Sequence, residues 1–467
     1  MGGYSIARLL RLASNLLLAH MLFPEAFGLM ALVNIVVVGL TMLSDVGLVP
    51  GIVQSRRGDD PIFLDTAWSI QIGRGFVLWI AAWLLARPLA DFYAQPELAR
   101  LLPVAALGIV FAGFNSMALA SFRRHLKLGR LTVLEIAPQL AGIVVMVGWA
   151  YYQRSVWALV AGSLTGACLR TLVSHAMSDR RDHLCWNPEA ARELLHFGKW
   201  IFLSTLVAFL STQLDRLIFA KMIPLGQLGV YGIAAMFATI PIEILSRLGS
   251  SVVFPAFSRK LEGSDLGSSY RRARLPLLAV SGLTVAPLAA AGIPLIETLY
   301  DLRYAEAGWI LQVLAAGAWF QALEVAPSCA LLALGRPQWI AASHSAKVAG
   351  IALFVALGSW IGGFPGAVIG FASSNVLLYL TAALGAWLHG LGGFREDLMA
   401  SAALVVAVAC GLYVSSEFAH IGTGSVAQLV AGATVPLLLW AGAVYLLLRR
   451  RGEQLRSLLF VSPASPR

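Results

Sequence analysis

The chain has 467 residues, of which 58% are hydrophobic and only 12% charged, with a formal charge of +10 and a mean hydropathy of +0.77. Soluble domains carry about 25% charged residues, which excludes an ordinary water-soluble protein. Apolar runs recur from Ser5 to Leu448 with short polar breaks, leaving no room between them for a catalytic or nucleotide-binding domain.

A membrane span needs ~20 mostly apolar residues. In chain order such stretches fall at about 4–22, 29–53, 63–86, 101–121, 131–152, 156–177, 198–220, 227–254, 275–299, 306–333, 338–360, 364–388, 398–416 and 426–448. The expected fold is therefore an all-α integral membrane protein of fourteen transmembrane helices. Alternating the loops places twenty-two Lys and Arg residues on one side and five on the other, Arg87, Arg100, Arg154, Lys221 and Arg303. The positive-inside rule makes the first side cytoplasmic, with both termini there. This asymmetry accounts for the basic charge without nucleic acid. The four cysteines are Cys168, Cys185, Cys329 and Cys410, with no C-x-x-C spacing, so neither a disulfide framework nor a metal site is expected. Met1 runs directly into apolar sequence carrying Arg8 and Arg11, with no cleavable signal pattern.

Between the sixth and seventh stretches, Asn187-Pro188-Glu189 reads as a cap, a first-turn proline and an acidic first turn. It opens a short amphipathic helix through Leu194, Leu195 and Phe197. That helix either lies flat in the headgroups, joining two halves of the protein, or is an ordinary linker.

The chain also repeats itself at an offset of about 201 residues. Leu16-Leu17-Leu18-Ala19-His20-Met21-Leu22 aligns with Leu217-Ile218-Phe219-Ala220-Lys221-Met222-Ile223, followed by Pro24 and Pro224. Leu43-Ser44-Asp45-Val46-Gly47 then aligns with Leu245-Ser246-Arg247-Leu248-Gly249, and Ser55-Arg56-Arg57 with Ser258-Arg259-Lys260. Stretches one and two are thus equivalent to seven and eight. The expected plan is a parallel repeat of six spans plus six, a recurring transporter architecture. It has a first lobe at 1–177, a linker at 178–197, a second lobe at 198–390, two extra spans at 391–449 and a basic tail at 450–467.

The phrases Ala19-His20-Met21-Leu22-Phe23-Pro24-Glu25-Ala26-Phe27-Gly28, Leu43-Ser44-Asp45-Val46-Gly47-Leu48 with Ile52-Val53-Gln54, Phe197-Gly198, Leu214-Asp215-Arg216-Leu217-Ile218, Leu228-Gly229-Val230-Tyr231 and Val253-Phe254-Pro255-Ala256-Phe257-Ser258 carry a resemblance. Together they resemble the polysaccharide-export branch, the Wzx-type flippases, of the multidrug/oligosaccharidyl-lipid/polysaccharide exporter superfamily. The resemblance covers roughly residues 4–390, and it departs from relatives in beginning almost inside the first span. It implies a V-shaped pair of six-helix lobes in a bacterial inner membrane. It further implies movement of an undecaprenyl-pyrophosphate-linked oligosaccharide from the cytoplasmic to the periplasmic leaflet for O-antigen, exopolysaccharide or capsule. Alternating access would be driven by an ion gradient, H+ or Na+, with no other cofactor. Membrane lipids, a polysaccharide polymerase and glycosyltransferases are the partners implied.

Embedded charges usually face a cavity or a partner. The stretches hold Arg8, Arg11, Arg74, Arg170, Arg216, Arg247 and Lys347, and also Asp45, Glu135, Asp215, Glu243, Glu297 and Glu324. Arg170 and Arg216 lie near span ends and can snorkel. Arg74 and Lys347 are too deep for that and are candidates for pyrophosphate or sugar, together with Arg8, Arg11 and Arg247. Asp45, Glu243, Glu324 and Asp215 are the candidates for gating or ion coupling. Glu243 and Arg247 stand at i,i+4 in the favourable order for an ion pair within one helix. Repeat symmetry also sets Asp45 opposite Arg247 across the pseudo-twofold axis. A buried carboxylate such as Glu324 can carry a proton. Two other readings compete: a multidrug or small-molecule exporter of the same superfamily, and a membrane polysaccharide polymerase or ligase. No metal cluster, catalytic triad or phosphate-cradling Gly-rich loop supports an enzyme.

Overall fold

The computed structural model describes residues 2–449 except 46, 49–51, 54, 56, 126, 197, 259–265 and 423. The expectations at Val46, Arg56, Phe197, Arg259, Lys260 and the 450–467 tail lie outside the described residues.

The described chain is helical and contains no strand. Its helices are α1 (Gly2–Met21), α2 (Pro24–Leu43), α3 (Pro61–Phe92), α4 (Leu98–Ala105), α5 (Leu107–Gly113), α6 (Ala118–Arg124), α7 (Leu128–Tyr152), α8 (Trp157–Ala176) and α9 (Pro188–His196). They continue with α10 (Gly198–Met222), α11 (Leu225–Leu248), α12 (Phe254–Ser258), α13 (Leu266–Leu299), α14 (Ala307–Ala333), α15 (Gln338–Leu388), α16 (Phe394–His420) and α17 (Ser425–Arg449). Ten helices among the described residues are long and apolar enough to cross a membrane, or eleven when the bent α4–α6 segment is one span. The 51-residue α15 breaks at Gly362 and Gly363, where the expected eleventh and twelfth stretches meet. Gly363 stands at φ 60 and ψ −139, a backbone conformation open essentially to glycine alone.

Local signals start several helices as expected. Pro24 and Pro61 occupy first-turn positions, where the missing N–H is no loss. Asp60 caps α3 by accepting from the Ile62 N–H at 3.0 Å. Asn187 Oδ1 caps α9, accepting from Glu189 and Ala190 N–H at 3.0 Å each. The apolar face of α9 packs on protein: Ala190 and Leu194 are buried with Phe63, Leu64 and Ala67 of α3.

The fourth stretch, expected as one helix over 101–121, is instead broken. Leu98–Gly113 and Ala118–Arg124 are bent by 61°, and side chains from neighbouring helices take up the freed backbone groups. Gln71 Nε2 donates to the carbonyls of Ala112 and Gly113 at 3.0 Å each. Thr171 donates to that of Phe111 at 2.7 Å, and the Ser116 N–H donates to Ser174 Oγ at 2.9 Å. Such a break is tolerated at membrane depth only where protein satisfies it.

The eighth stretch also departs from a plain α-helix. A π segment, Gly249–Val253, separates α11 from α12. In the first repeat, α2 has already ended at the equivalent point, and Gly47 takes φ 69.

The chain divides into two compact units, Met1–Gly232 and Ile233–Arg467. In the first, α2 packs on α10, α1 on α7, and α7 on α8. A Cβ at Gly28 would stand 1.9 Å from the Leu225 carbonyl oxygen, and one at Gly229 2.1 Å from that of Pro24. Repeat-equivalent helix starts thus cross backbone to backbone, residue i of one on residue j of the other, as in an isologous contact. In the second unit α14 packs between α13 and α15, while α16 and α17 pack on α13. Trp440, 1% exposed, sets its ring edge to face on Trp319 at 5.5 Å and donates to the Ala279 carbonyl at 2.9 Å.

Candidate functional site

The second unit brings Glu324 and Lys347 together. α14 is apolar and largely buried along its length, so Glu324 in its middle has few polar neighbours. Ser328, one turn on, donates its hydroxyl to Glu324 Oε1. Lys347, 3% exposed, sits on the first half of α15 and interacts electrostatically with Glu324 and His344. Its ammonium lies 5.6 Å from the ring centroid of Phe371, on the second half of α15. A buried cation is held by an opposite charge and a ring face. The cluster can bind an anion through Lys347, or exchange a proton at Glu324, without any added group. Among the described residues no group of three or more His, Cys, Asp or Glu is placed to hold a metal ion.

The first unit pairs Arg74 with Asp45 in a different way. α2 ends at Leu43 with Ser44 as its C-cap, leaving carbonyls that need donors. Arg74 reaches across from α3: Nη2 donates to the Thr41 carbonyl at 2.7 Å and Nε to Ser44 Oγ at 2.9 Å. Nη1 stands 4.0 Å from Asp45 Oδ1, and that oxygen also accepts from the Gly47 N–H at 2.9 Å. Arg74 therefore serves as a C-terminal cap for α2, where a cation also complements the helix dipole.

The remaining candidates are distributed. Asp215 of α10, 3% exposed, accepts from the Tyr231 hydroxyl, and its Oδ1 is buried with no hydrogen-bond donor among the described residues. Arg8 is half-buried and Arg11 exposed on α1, near the point where Gln139 Nε2 donates to the Ala7 carbonyl at 2.7 Å. Glu243 is half-buried and Arg247 exposed on α11. The Ser250 and Ser251 hydroxyls return to the Arg247 carbonyl at 3.2 and 2.5 Å, satisfying backbone at the π segment.

Sequence reasoning missed one buried ion pair. Arg274 of α13 pairs with Asp397 in the first turn of α16, Tyr379 donates to the same carboxylate, and the Tyr270 ring centroid lies 5.4 Å from the guanidinium. Asp397 stands one residue before an apolar run, and its place in a helix's first turn was the available signal. The linker also holds polar structure. Residues 178–187 lie extended along α3, with Arg180 paired to Asp65, the Cys185 N–H donating to Ser69 Oγ at 3.0 Å, and that of Asn187 to Thr66 Oγ1 at 3.2 Å.

Residues 17–327 match the family model described as "Polysaccharide biosynthesis protein". Among curated relatives, the chain is 26% identical over 252 residues to the lipopolysaccharide biosynthesis protein WzxC of Escherichia coli (strain K12), covering 54% of this chain and 51% of that one. It is 24% identical over 305 residues to the succinoglycan biosynthesis transport protein ExoT of Rhizobium meliloti (strain 1021), covering 64% and 60%. The matches thus span about half to three fifths of those relatives' lengths. Its fold is similar to the lipid II flippase MurJ in an inward closed conformation, with a TM-score of 0.76, 13% identity and coverage of 96% and 98%. It is also similar to an inward-facing multidrug resistance transporter of the MATE family, with a TM-score of 0.65, 15% identity and coverage of 85% and 95%. At these identities it is the fold that is shared. The long apolar helices and these relatives describe a multi-pass bacterial membrane protein. With more than half its length matched, the chain belongs to the polysaccharide biosynthesis protein family, in its Wzx-type branch.

Proposed function

We propose that the protein translocates an undecaprenyl-pyrophosphate-linked oligosaccharide across the bacterial inner membrane, from the cytoplasmic to the periplasmic leaflet, for surface polysaccharide synthesis. The observation that carries this reading is a polysaccharide-biosynthesis chain with a lipid II flippase fold over 96% of its length. In this reading fourteen helices span the membrane as two six-helix lobes plus a C-terminal pair, with both termini cytoplasmic. The lobes alternate access to a central cavity. Lys347 and Arg74 meet the pyrophosphate or sugar, with Arg8, Arg11 and Arg247 contributing, while Glu324 and Asp215 are the ion-coupling carboxylates and Asp45 and Glu243 act in gating. The meeting of Lys347 with Glu324 supports a link between anion binding and proton exchange, because an anion at the ammonium displaces the carboxylate's counter-charge. A polymerase and glycosyltransferases act on the same glycolipid.

Deleting the gene and extracting lipids tests the reading. The expected result is accumulated lipid-linked oligosaccharide with loss of surface glycan; normal glycan with no accumulation overturns it.

A further inference from the structure

Helices α7 and α8 are joined by a short connection and pack antiparallel through close backbone contacts. A Cβ at Gly162 would stand 2.5 Å from the Gly142 carbonyl oxygen, and one at Gly166 3.2 Å from that of Pro138. These contacts step one helical turn at a time along both helices. The next turn sets Arg170 of α8 level with Leu134 and Glu135 of α7. Beyond it, Arg130 donates to the Met177 carbonyl at 3.3 Å. Arg170 is half-buried at this end of the helix pair.

The arginines of α6, α7 and α8 divide sharply. Arg124 is bound to Asp59 at 3.1 Å and to the backbone carbonyls of Ile52, Val53 and Ser55. Arg130 is bound to Asp179 at 2.6 Å, which Lys127 shares at 3.3 Å. Arg170 and Arg123 have no hydrogen-bond or ion-pair partner among the described residues, and Arg170 Nε is buried with no acceptor. Around Arg170 the interacting charges are Arg123 of α6 and Glu135 of α7. Arg170 thus interacts with one like charge and one carboxylate and binds neither directly. A buried N–H without an acceptor is costly, and a like charge beside it adds to the strain.

We propose that Arg170 and Arg123 form a binding site for a lipid phosphate headgroup, with Glu135 as the internal counter-charge that the headgroup displaces. Guanidinium donors match phosphate oxygens in a bidentate fork, and a pyrophosphate offers enough oxygens for both arginines. The site lies at the end of the first unit that carries the basic residues Arg123, Arg124, Lys127 and Arg130, where a phosphate held at a membrane surface arrives. The headgroup comes either from the transported glycolipid's pyrophosphate, a source that rests on the proposed transport function, or from an ordinary anionic phospholipid.

The test measures binding of undecaprenyl pyrophosphate and, separately, of phosphatidylglycerol to the purified full-length protein in detergent by native mass spectrometry. For Arg170→Gln the expected result is about tenfold or greater weakening toward at least one lipid. Arg170→Lys restores binding in part, and Glu135→Gln tightens it. Weakening confined to undecaprenyl pyrophosphate assigns the site to the transported substrate; weakening confined to or shared with phosphatidylglycerol assigns it to bulk lipid. Arg123→Gln, an exposed position, provides a second variant in case Arg170→Gln does not fold. Unchanged binding of both lipids in a folded Arg123→Gln or Arg170→Gln protein overturns the proposal. Failure of the transport reading is separately visible, since it appears as absent glycolipid accumulation in the deletion strain whatever the lipid affinities.

Discussion

Arg274 and Asp397 form an ion pair with 5% and 3% of their side chains exposed, joining α13 to the first turn of α16. Removing one partner leaves a buried charge without compensation, an effect of about 3–5 kcal/mol. Asp397→Ala is therefore expected to lower the melting temperature in detergent strongly. The double variant Arg274→Met with Asp397→Leu recovers most of the loss, because both charges are then gone. Equal melting of Asp397→Ala and the wild type contradicts the assignment.

Arg74→Gln should fray the end of α2 even in the absence of any glycolipid. The lost donors to the Thr41 carbonyl and Ser44 Oγ correspond to about 1.5–3 kcal/mol for hydrogen bonds from a charged group. Hydrogen exchange at residues 40–44 reads the effect directly. Lysine at this position restores only part of the protection, having no planar fork to reach two acceptors together.

Gly28→Ala and Gly229→Ala should each weaken the crossing of α2 with α11. The atoms met are backbone carbonyls, which cannot swing aside as a flexible side chain can, so each overpacked variant is expected to lose about 1–3 kcal/mol. The contact is reciprocal, so the two substitutions are expected to act alike and to combine non-additively. Thermal melting of the two single variants and the double variant checks both points.

Acid should loosen the polar segments at Asp60 and Asp179. Hydrogen bonds from Arg57 hold the Asp60 carboxyl below its ordinary value, and those from Arg130 and Lys127 do the same for Asp179. A depressed folded pKa contributes stability that is present above the unfolded value of about 3.9 and lost as pH falls through the folded one. Protection from hydrogen exchange over 178–187, relative to the intrinsic rate at each pH, should therefore fall below about pH 4. Asp179→Asn reduces that pH dependence, leaving the part carried by Asp65, and 1 M salt weakens it through screening. An unchanged pH profile in Asp179→Asn contradicts the assignment.

The Glu324 and Lys347 cluster separates a packing role from a transport role. Lys347→Met leaves Glu324 without its cation and should destabilise the fold; adding Glu324→Gln removes the orphaned charge and should restore melting. If both groups serve transport, surface glycan stays absent in the restored double variant. Normal glycan there assigns the pair to packing alone.

Individual charges were legible because they interrupt apolar runs, whereas their partners were not. Lys347 and Glu324 stand out in the sequence, but their meeting depends on how α14 packs against α15. Arg74 stands out within an apolar stretch, yet the carbonyls it caps belong to a helix whose end is set by the Ser44–Gly47 turn. Arg170 was read as able to snorkel from a span end, while the structure holds its Nε buried without an acceptor. The break in the fourth stretch falls at Gly113-Phe114-Asn115-Ser116, a weak turn signal, while the groups that satisfy it, Gln71, Thr171 and Ser174, come from other helices. Gly28 and Gly229, matched positions in the expected repeat, each meet a backbone carbonyl of the other helix start, which leaves no room there for a side chain.

The π segment at Gly249–Val253 coincides with one extra residue. From glycine to serine the first repeat takes eight steps, Gly47 to Ser55, and the second takes nine, Gly249 to Ser258. A π turn houses one residue more than an α turn, so the surplus residue falls where the helix widens. The wider turn thus accommodates the surplus residue within a continuous helical path. Deleting that residue would return the segment to α-helical winding and leave the side chains that follow it in the helix facing as they do now.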